Sequence, residues 1–135
     1  MIKVVIAEDH DQVRNAWSFY LGSFKDIRIL ATCADGTECV SIVEEMRPDI
    51  ILMDINMKRM SGIDATSIIS SRWPDSKIIG VSAHRDPSYV KKMLQAGAKG
   101  YVTKSAVAHE LVRAIREVHE GGIYLCEEIR TKSDN

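Results

Sequence analysis

Acidic, hydroxyl and ammonium side chains follow several short apolar runs of this sequence, each at the point where a run ends. Glu8 and Asp9 follow the first run, and Asp54 follows a later one. Ser82 and Lys104 follow two further runs. Carboxylates that lie together repel one another, and a hard divalent cation such as Mg²⁺ is their usual partner. These residue types therefore predict an acidic metal site beside a hydroxyl and a lysine.

Such a site could transfer a phosphoryl group. A carboxylate such as that of Asp54 can act as the nucleophile and become an acyl phosphate. Lys104 and the metal would offset charge on the phosphoryl oxygens, and Ser82 could donate one hydrogen bond to them. The backbone carbonyl of Asn56 could complete the oxygen ligands of Mg²⁺.

The elements that must position these residues alternate regularly along the chain. Five strands are predicted, at Lys3–Ala7, Ile27–Cys33, Ile50–Met53, Lys77–Val81 and Gly100–Thr103, with an amphipathic helix after each and the last from Ala106 to Glu120. This alternation predicts a parallel sheet with five helices on its two faces. In the strand order 2-1-3-4-5, the reactive strand ends would meet at one edge, whereas strand two would contribute nothing reactive.

The composition is that of an ordinary globular domain. The chain has 135 residues, of which 45% are hydrophobic and 27% charged, and its net charge is −1. So small a net charge predicts no nucleic-acid surface within this segment. No run reaches membrane length, and three cysteines without metal-ligand spacing favour reduced thiols, so a cytoplasmic protein is expected.

Several stretches together resemble the receiver domain of bacterial response regulators. They are Val5 to His10, Leu52 to Met57, Val81 to Ala83, and Gly97 to Lys104. The sequence around Asp9-His10, and the run from Gly121 to Leu125 after the last helix, are similar to the sequences of the LuxR-type (NarL/FixJ) branch. The resemblance implies a flavodoxin-like doubly wound fold over residues 2–125. Residues 126–135 would be a polar, frayed tail, or the start of a linker to a C-terminal effector domain that binds DNA.

The resemblance also implies roles for individual residues. Asp54 would be the phosphoacceptor, Glu8 and Asp9 the acidic pair around Mg²⁺, and Asn56 a carbonyl ligand. Ser82 would be the switch hydroxyl, Lys104 the motif lysine, and Tyr101 the aromatic that turns inward. A sensor histidine kinase would donate the phosphoryl group, and activation would favour a homodimer through the first and last helices, near Trp17 and Tyr20. The chain would not be an enzyme beyond phosphorylating and dephosphorylating itself.

One position departs from the family pattern. Lys58 follows Met57 where the family usually has proline, and Arg59 is next. Without the proline the loop gains freedom in φ and two cations. Lys58, Asn56 and His84, which lies two residues past Ser82, are therefore candidates for tuning the phosphorylation and dephosphorylation rates. The other histidines are expected to have structural or surface roles.

Two other functions use the same residues. A Mg²⁺-dependent phosphatase of the haloacid-dehalogenase type would carry an acid two residues after its nucleophile, and Asn56 there argues against it. A stand-alone receiver-like interaction module would take no phosphate, which the set of reactive residues at the strand ends argues against. The sequence does not separate a stand-alone receiver from one that belongs to a longer chain.

Overall fold

The computed structural model describes residues 1–105 and 108–133. Its strands are β1 (Ile2–Ala7), β2 (Ile27–Cys33), β3 (Ile50–Asp54), β4 (Lys77–Ser82), β5 (Gly100–Thr103) and β6 (Tyr124–Leu125). Its helices are α1 (Asp11–Gly22), α2 (Gly36–Met46), α3 (Gly62–Arg72), α4 (Pro87–Gln95), α5 (Ala108–His119) and α6 (Glu127–Ser133). The predicted start of the last long helix at Ala106, and the tail residues Asp134 and Asn135, lie outside the described residues.

The strands form one parallel sheet in the order β2-β1-β3-β4-β5-β6, with helices on both sides. The predicted doubly wound α/β fold and the order 2-1-3-4-5 are thus confirmed. β3 lies near the centre between β1 and β4, and all five of its residues are buried. A strand covered on both faces reads as a continuous apolar run, which is why Ile50 to Met53 shows no alternation.

Local capping explains where the helices next to the site begin. Asp35 caps α2 by accepting the Glu38 N–H at 2.8 Å, and Ser61 caps α3 by accepting the Asp64 N–H at 3.1 Å. Such caps satisfy amide groups that have no partner within the helix. α2 ends at Arg47 in the left-handed conformation, with φ of 47°.

The predicted count of five strands and five helices is wrong by one of each. Tyr124 and Leu125 pair with Gly100 and Tyr101 as a sixth parallel strand. The segment from Glu127, expected to be a frayed tail, forms α6 up to Ser133. Its Ile129 is buried on the core, so tertiary packing holds this short polar helix. The division of the chain at residue 125 stays a prediction.

None of the helices in the described part of the chain combines the length and apolar character needed to cross a membrane.

Candidate functional site

The register of the central strands brings the predicted residues to one edge of the sheet. Ala7 pairs with Met53, Asp54 with Val81, and Ser82 with Thr103. The residues that follow each pair therefore meet at the carboxyl edge, where open α/β sheets bind ligands. The sequence-predicted residues that come together here are Glu8, Asp9, Asp54, Ser82 and Lys104.

Lys104 lies between two buried carboxylates. Its Nζ is 2.8 Å from Glu8 Oε1 and 3.5 Å from Asp54 Oδ2. Glu8 and Asp54 are 0% and 3% exposed, so both ion pairs are largely removed from water. The Lys104 N–H donates to the Ser82 carbonyl at 2.8 Å, which fixes this lysine relative to β4. One ammonium group thus serves two acids.

The pKa values of Asp54 and Glu8 are shifted in opposite directions. Burial, and then the charge of Glu8, raise the pKa of Asp54 to about 7, although Lys104 acts to lower it. Burial also opposes ionisation of Glu8, but the Lys104 ammonium group and the hydrogen bonds from His10 outweigh it and lower its pKa to about 2. Lys104 therefore compensates Glu8 more fully than Asp54. The site can take up further positive charge next to Asp54.

The acidic cluster fits a hard cation. Ligand atoms of Glu8, Asp9, His10 and Asp54 all lie within 4.8 Å of one another. In the described part of the chain, Glu8 Oε1 and Asp9 Oδ1 are buried side-chain atoms without a hydrogen bond. Their neighbours are Lys104 Nζ, at 2.8 Å from Glu8 Oε1, and His10 Nδ1, at 3.1 Å from Asp9 Oδ1. Carboxylate oxygens of this kind are the ligands that Mg²⁺ prefers.

Asn56 lies two residues after the end of β3, and its backbone N–H faces Asp54. Its N–H is 3.4 Å from Asp54 Oδ1, a long hydrogen bond. The start of α3 also lies close to this turn, since a Cβ on Gly62 would collide with the Asp54 carbonyl oxygen. The role of the Asn56 carbonyl as a metal ligand stays a prediction.

Ser82 at the end of β4, His84 in the loop between β4 and α4, and Tyr101 in β5 form one hydrogen-bonded group. Ser82 Oγ accepts the His84 N–H at 3.1 Å, and the Tyr101 hydroxyl donates to the His84 carbonyl at 2.7 Å. Tyr101 is fully buried in this arrangement. The His84 ring stacks on Tyr89 with centroids 4.0 Å apart, and its Nε2 is 2.7 Å from Asn56 Nδ2. The two candidate rate-tuning residues Asn56 and His84 are therefore in contact.

The loop that carries Lys58 is tied to the end of β2. Lys58 forms a backbone bridge with Asp35, and Asp35 Oδ2 lies 3.9 Å from Arg59 Nη1. Arg59 has φ of 66°, a left-handed conformation that arginine rarely adopts. Strand two was predicted to contribute nothing reactive, and the segment after it contributes support instead, because Asp35 holds the loop next to Asp54.

Sequence reasoning missed two residues of the site. His10 Nδ1 lies 3.1 Å from both Glu8 Oε2 and Asp9 Oδ1, although a structural or surface role was expected for it. Its position directly after the acidic pair was the available signal. Arg14 donates to the Glu8 carbonyl at 2.9 Å and pairs with Asp11 at 2.6 Å. Its spacing, one helical turn past Asp11, was the only signal for Arg14.

A central buried acid with an acidic cluster and a lysine, at the carboxyl edge of this sheet, defines a phosphoacceptor-type receiver domain. The chain matches the response regulator receiver domain over residues 4–116. It belongs to that family, in the LuxR-type branch of two-component response regulators.

Individual relatives agree with this assignment. The chain is 39% identical over 124 residues to the transcriptional regulatory protein DegU of Brevibacillus brevis, covering 92% of this chain and 52% of that protein. It is 38% identical to the oxygen regulatory protein NreC of Staphylococcus epidermidis, covering 99% of this chain and 62% of that protein. The chain thus spans between half and two thirds of the length of these relatives.

A solved structure shows the same architecture. A LuxR-family two-component response regulator from Aurantimonas sp. SI85-9A1 matches with a TM-score of 0.93 at 28% identity, covering 100% of this chain and 99% of that one.

Proposed function

We propose that Asp54 accepts a phosphoryl group from the phosphohistidine of a sensor histidine kinase. The observation that carries this proposal is the Asp54 carboxylate itself, which is buried at the end of the central strand with a pKa near 7. It lies 3.5 Å from Lys104 and within the acidic cluster. A carboxylate that only served structure would gain little from so unfavourable a position.

The transfer conserves atoms and charge. Asp54 Oδ attacks phosphorus, the new O–P bond forms as the N–P bond of the phosphohistidine breaks, and the electron pair stays on the imidazole nitrogen of the kinase. Lys104 lies close enough to Asp54 to offset the negative charge of the arriving phosphoryl oxygens. In the later dephosphorylation step, water attacks phosphorus, the O–P bond to Asp54 breaks with its electron pair left on the carboxylate, and inorganic phosphate forms.

Mg²⁺ is the cation proposed for the cluster. Glu8, Asp9 and Asp54 would hold it, with the Asn56 carbonyl as a further oxygen ligand, and it would supply positive charge that lets a phosphoryl group approach the acids. The remaining work belongs to the chain. Burial excludes water, and the loops after β4 and β5 position the hydroxyl and the lysine.

The switch follows from the contacts of Ser82. A phosphoryl group on Asp54 would draw Ser82 and Lys104 toward it, and Ser82 already holds the loop whose carbonyl Tyr101 binds. Phosphorylation would thus stabilise one arrangement of this loop and of Tyr101 in a two-state equilibrium. The output would be a homodimer through α1 and α5 that controls a DNA-binding effector domain, as the resemblance implies. The name of the relative DegU, a transcriptional regulator, supports this.

The proposed activity is limited to the chain's own aspartate. Asn56, two residues after Asp54, offers no carboxyl group to act as the general acid of a phosphatase. The chain would therefore undergo phosphorylation and autodephosphorylation without turning over an external phosphoester.

Intact-mass spectrometry tests the proposal directly. The chain is incubated with Mg²⁺ and either a phosphorylated histidine kinase or acetyl phosphate, with Asp54→Asn as the control. We expect wild type to gain one phosphoryl group that the variant does not gain, and EDTA to prevent the gain. If neither donor modifies wild type, or if Asp54→Asn is modified equally, the proposal is wrong.

A further inference from the structure

The carboxylate of Glu128, which lies outside the site, contacts two segments of the chain that support the site: the one around Lys104 and the one after Ser82. Glu128, in α6, accepts hydrogen bonds through Oε2 from the hydroxyls of Thr103, at 2.8 Å, and Ser105, at 3.0 Å. Its Oε1 lies 2.9 Å from Arg85 Nη1. We call these contacts, among Glu128, Arg85, Thr103 and Ser105, the Glu128 bridge. Both carboxylate oxygens are used, each toward a different loop.

The two loops are those that deliver the reactive groups. Thr103 and Ser105 stand on either side of Lys104, so their hydroxyls fix the backbone that carries this lysine. Arg85 follows His84, whose N–H is bound by Ser82 Oγ. The Glu128 bridge thus reaches one residue from Lys104 on one side, and one residue from the hydrogen-bonded partner of Ser82 on the other.

α6 is placed firmly enough for this contact to matter. Ile129 and Cys126 are buried beneath it, and Thr103 is 2% exposed. The buried carboxylate of Glu110 accepts the Tyr124 hydroxyl at 2.7 Å just before the helix. Hydrogen bonds to Thr103 and Arg85 hold the pKa of Glu128 below its usual value, so the bridge is ionised at neutral pH.

We propose that Glu128 is a positioning residue that holds the loop after Ser82 and the backbone around Lys104 beside Asp54, and thereby couples the docking of α6 to phosphorylation. The inference rests on the proposed function of Asp54. It adds a path from the phosphoacceptor to α6 through named contacts. Because coupling between two sites is reciprocal, loops held by Glu128 favour phosphorylation, and phosphorylation favours a docked α6.

The size of the effect follows from the exposure of the bridge. Charge-assisted hydrogen bonds are stronger than neutral ones. The Glu128 side chain is 33% exposed, however, so water screens its charge and weakens these bonds. A coupling at the low end of the usual allosteric range corresponds to about fivefold. We therefore expect Glu128→Ala to lower the phosphorylation rate with acetyl phosphate about fivefold.

Hydrogen exchange and phosphorylation kinetics test the inference together. Amide exchange across α6 is measured with Mg²⁺ alone and with Mg²⁺ and beryllofluoride, in the full 135-residue chain. In wild type, beryllofluoride should slow α6 exchange about fivefold. Glu128→Ala should lose this response, whereas Glu128→Gln, which can still accept from the hydroxyls, should be intermediate. Glu45→Gln, an exposed acid on α2, is the matched control.

Arg85→Gln keeps the test decisive if Glu128→Ala melts α6. This variant changes no residue of the helix, yet it should speed α6 exchange and weaken the response to beryllofluoride. If wild type takes up no phosphoryl group, the proposed function fails first. If wild type is phosphorylated but α6 exchange ignores beryllofluoride, or if Glu128→Ala and Arg85→Gln match Glu45→Gln in both measurements, the coupling is wrong and the phosphoacceptor role stands.

Discussion

The Glu8 and Asp54 carboxylates share a single ammonium group, and this imbalance governs the chemistry of the site. Lys104 is closer to Glu8 than to Asp54. The pKa of Glu8 is therefore lowered to about 2, whereas the pKa of Asp54 is raised to about 7. The carboxylate with the least compensation is the one that gains most from a bound cation. It is also the one at the end of the central strand, open to an incoming phosphoryl group.

Replacing Asp54 by Asn should stabilise the folded chain when no divalent cation is present. The pKa of Asp54 is raised from 3.8 to about 7, mainly by burial and Glu8, so its contribution to stability is present below pH 3.8 and is lost as the pH rises to about 7. Asn carries no such charge. We expect the free energy of unfolding in urea to rise by about 2 kcal/mol at pH 8, and by less at pH 5.

Two comparisons make this result specific. Asp75→Asn, an exposed acid just before β4 at the opposite edge of the sheet, should leave the free energy of unfolding nearly unchanged. Mg²⁺ should stabilise wild type more than Asp54→Asn, because ligand binding to the folded state adds to its stability. An Asp54→Asn chain that is less stable than wild type at pH 8 would contradict the charge argument.

The contact between His84 and Asn56 should affect how long the phosphoryl group persists. Their side chains meet at 2.7 Å, and the Asn56 N–H lies 3.4 Å from Asp54 Oδ1. We expect the His84 ring to limit the access of water to a phosphoryl group on this side of Asp54. Removing the ring in His84→Ala should open this side and speed dephosphorylation about threefold, as loss of one weak contact would do. The dephosphorylation rate is measured by mass spectrometry as the loss of the phosphorylated species with time. His119→Ala, at the end of α5, is the control. A slower or unchanged decay would show that the ring does not shield the site.

At the scale of the elements, the sequence predicted what local pattern determines and missed what long-range pairing determines. β3 and α2 have clear boundaries in sequence, since an apolar run ends at Asp54 and a cap and Pro48 frame the helix. β6 has two residues and shows no periodicity, and its pairing with β5 arises only in the folded chain. α6 is polar, and buried Ile129 with the contacts of Glu128 holds it, which no local pattern reveals.

Asp35 illustrates how one element supports another. Its Oδ1 caps α2 and its Oδ2 faces Arg59, while its backbone bridges Lys58. The loop that lacks the usual proline is therefore held by the end of β2. The cap joins Asp35 to a residue three positions later and is typical of a local sequence pattern, whereas the bridge joins residues far apart in the chain, so no local pattern predicts it.

Two substitutions separate the functions of Asp35. Asp35→Ala removes the cap and the charge facing Arg59, and should lower the free energy of unfolding by about 1 kcal/mol. Asp35→Asn can still cap the helix and loses only the exposed, weak ion pair, so it should lie within about 0.5 kcal/mol of wild type. Urea denaturation of the two variants is the measurement. Equal losses would mean that the cap does not account for the stability.

At the scale of the whole molecule, the sheet edge that carries Asp54 and the proposed dimer surface on α1 and α5 are different parts of the fold. Arg116 on α5 forms two hydrogen bonds with Asp26, at 2.9 and 3.0 Å, and its guanidinium lies over the Phe24 ring. These contacts join α5 to the segment after α1. A displacement of α5 would therefore reach the segment after α1 as part of one connected surface.

Phe19 makes the proposed dimer testable. Trp17 and Tyr20 are half-buried against the core, whereas Phe19 on the same helix is 86% exposed, a large apolar side chain facing water. Burying one such ring contributes about 2 kcal/mol, and a twofold dimer buries it twice. We expect Mg²⁺ and beryllofluoride to shift wild type from monomer to dimer in light scattering after gel filtration. Phe19→Asp should stay monomeric, yet take phosphate from acetyl phosphate at the wild-type rate. Met46→Asp, on α2, should dimerise like wild type, and a dimeric Phe19→Asp would place the interface elsewhere.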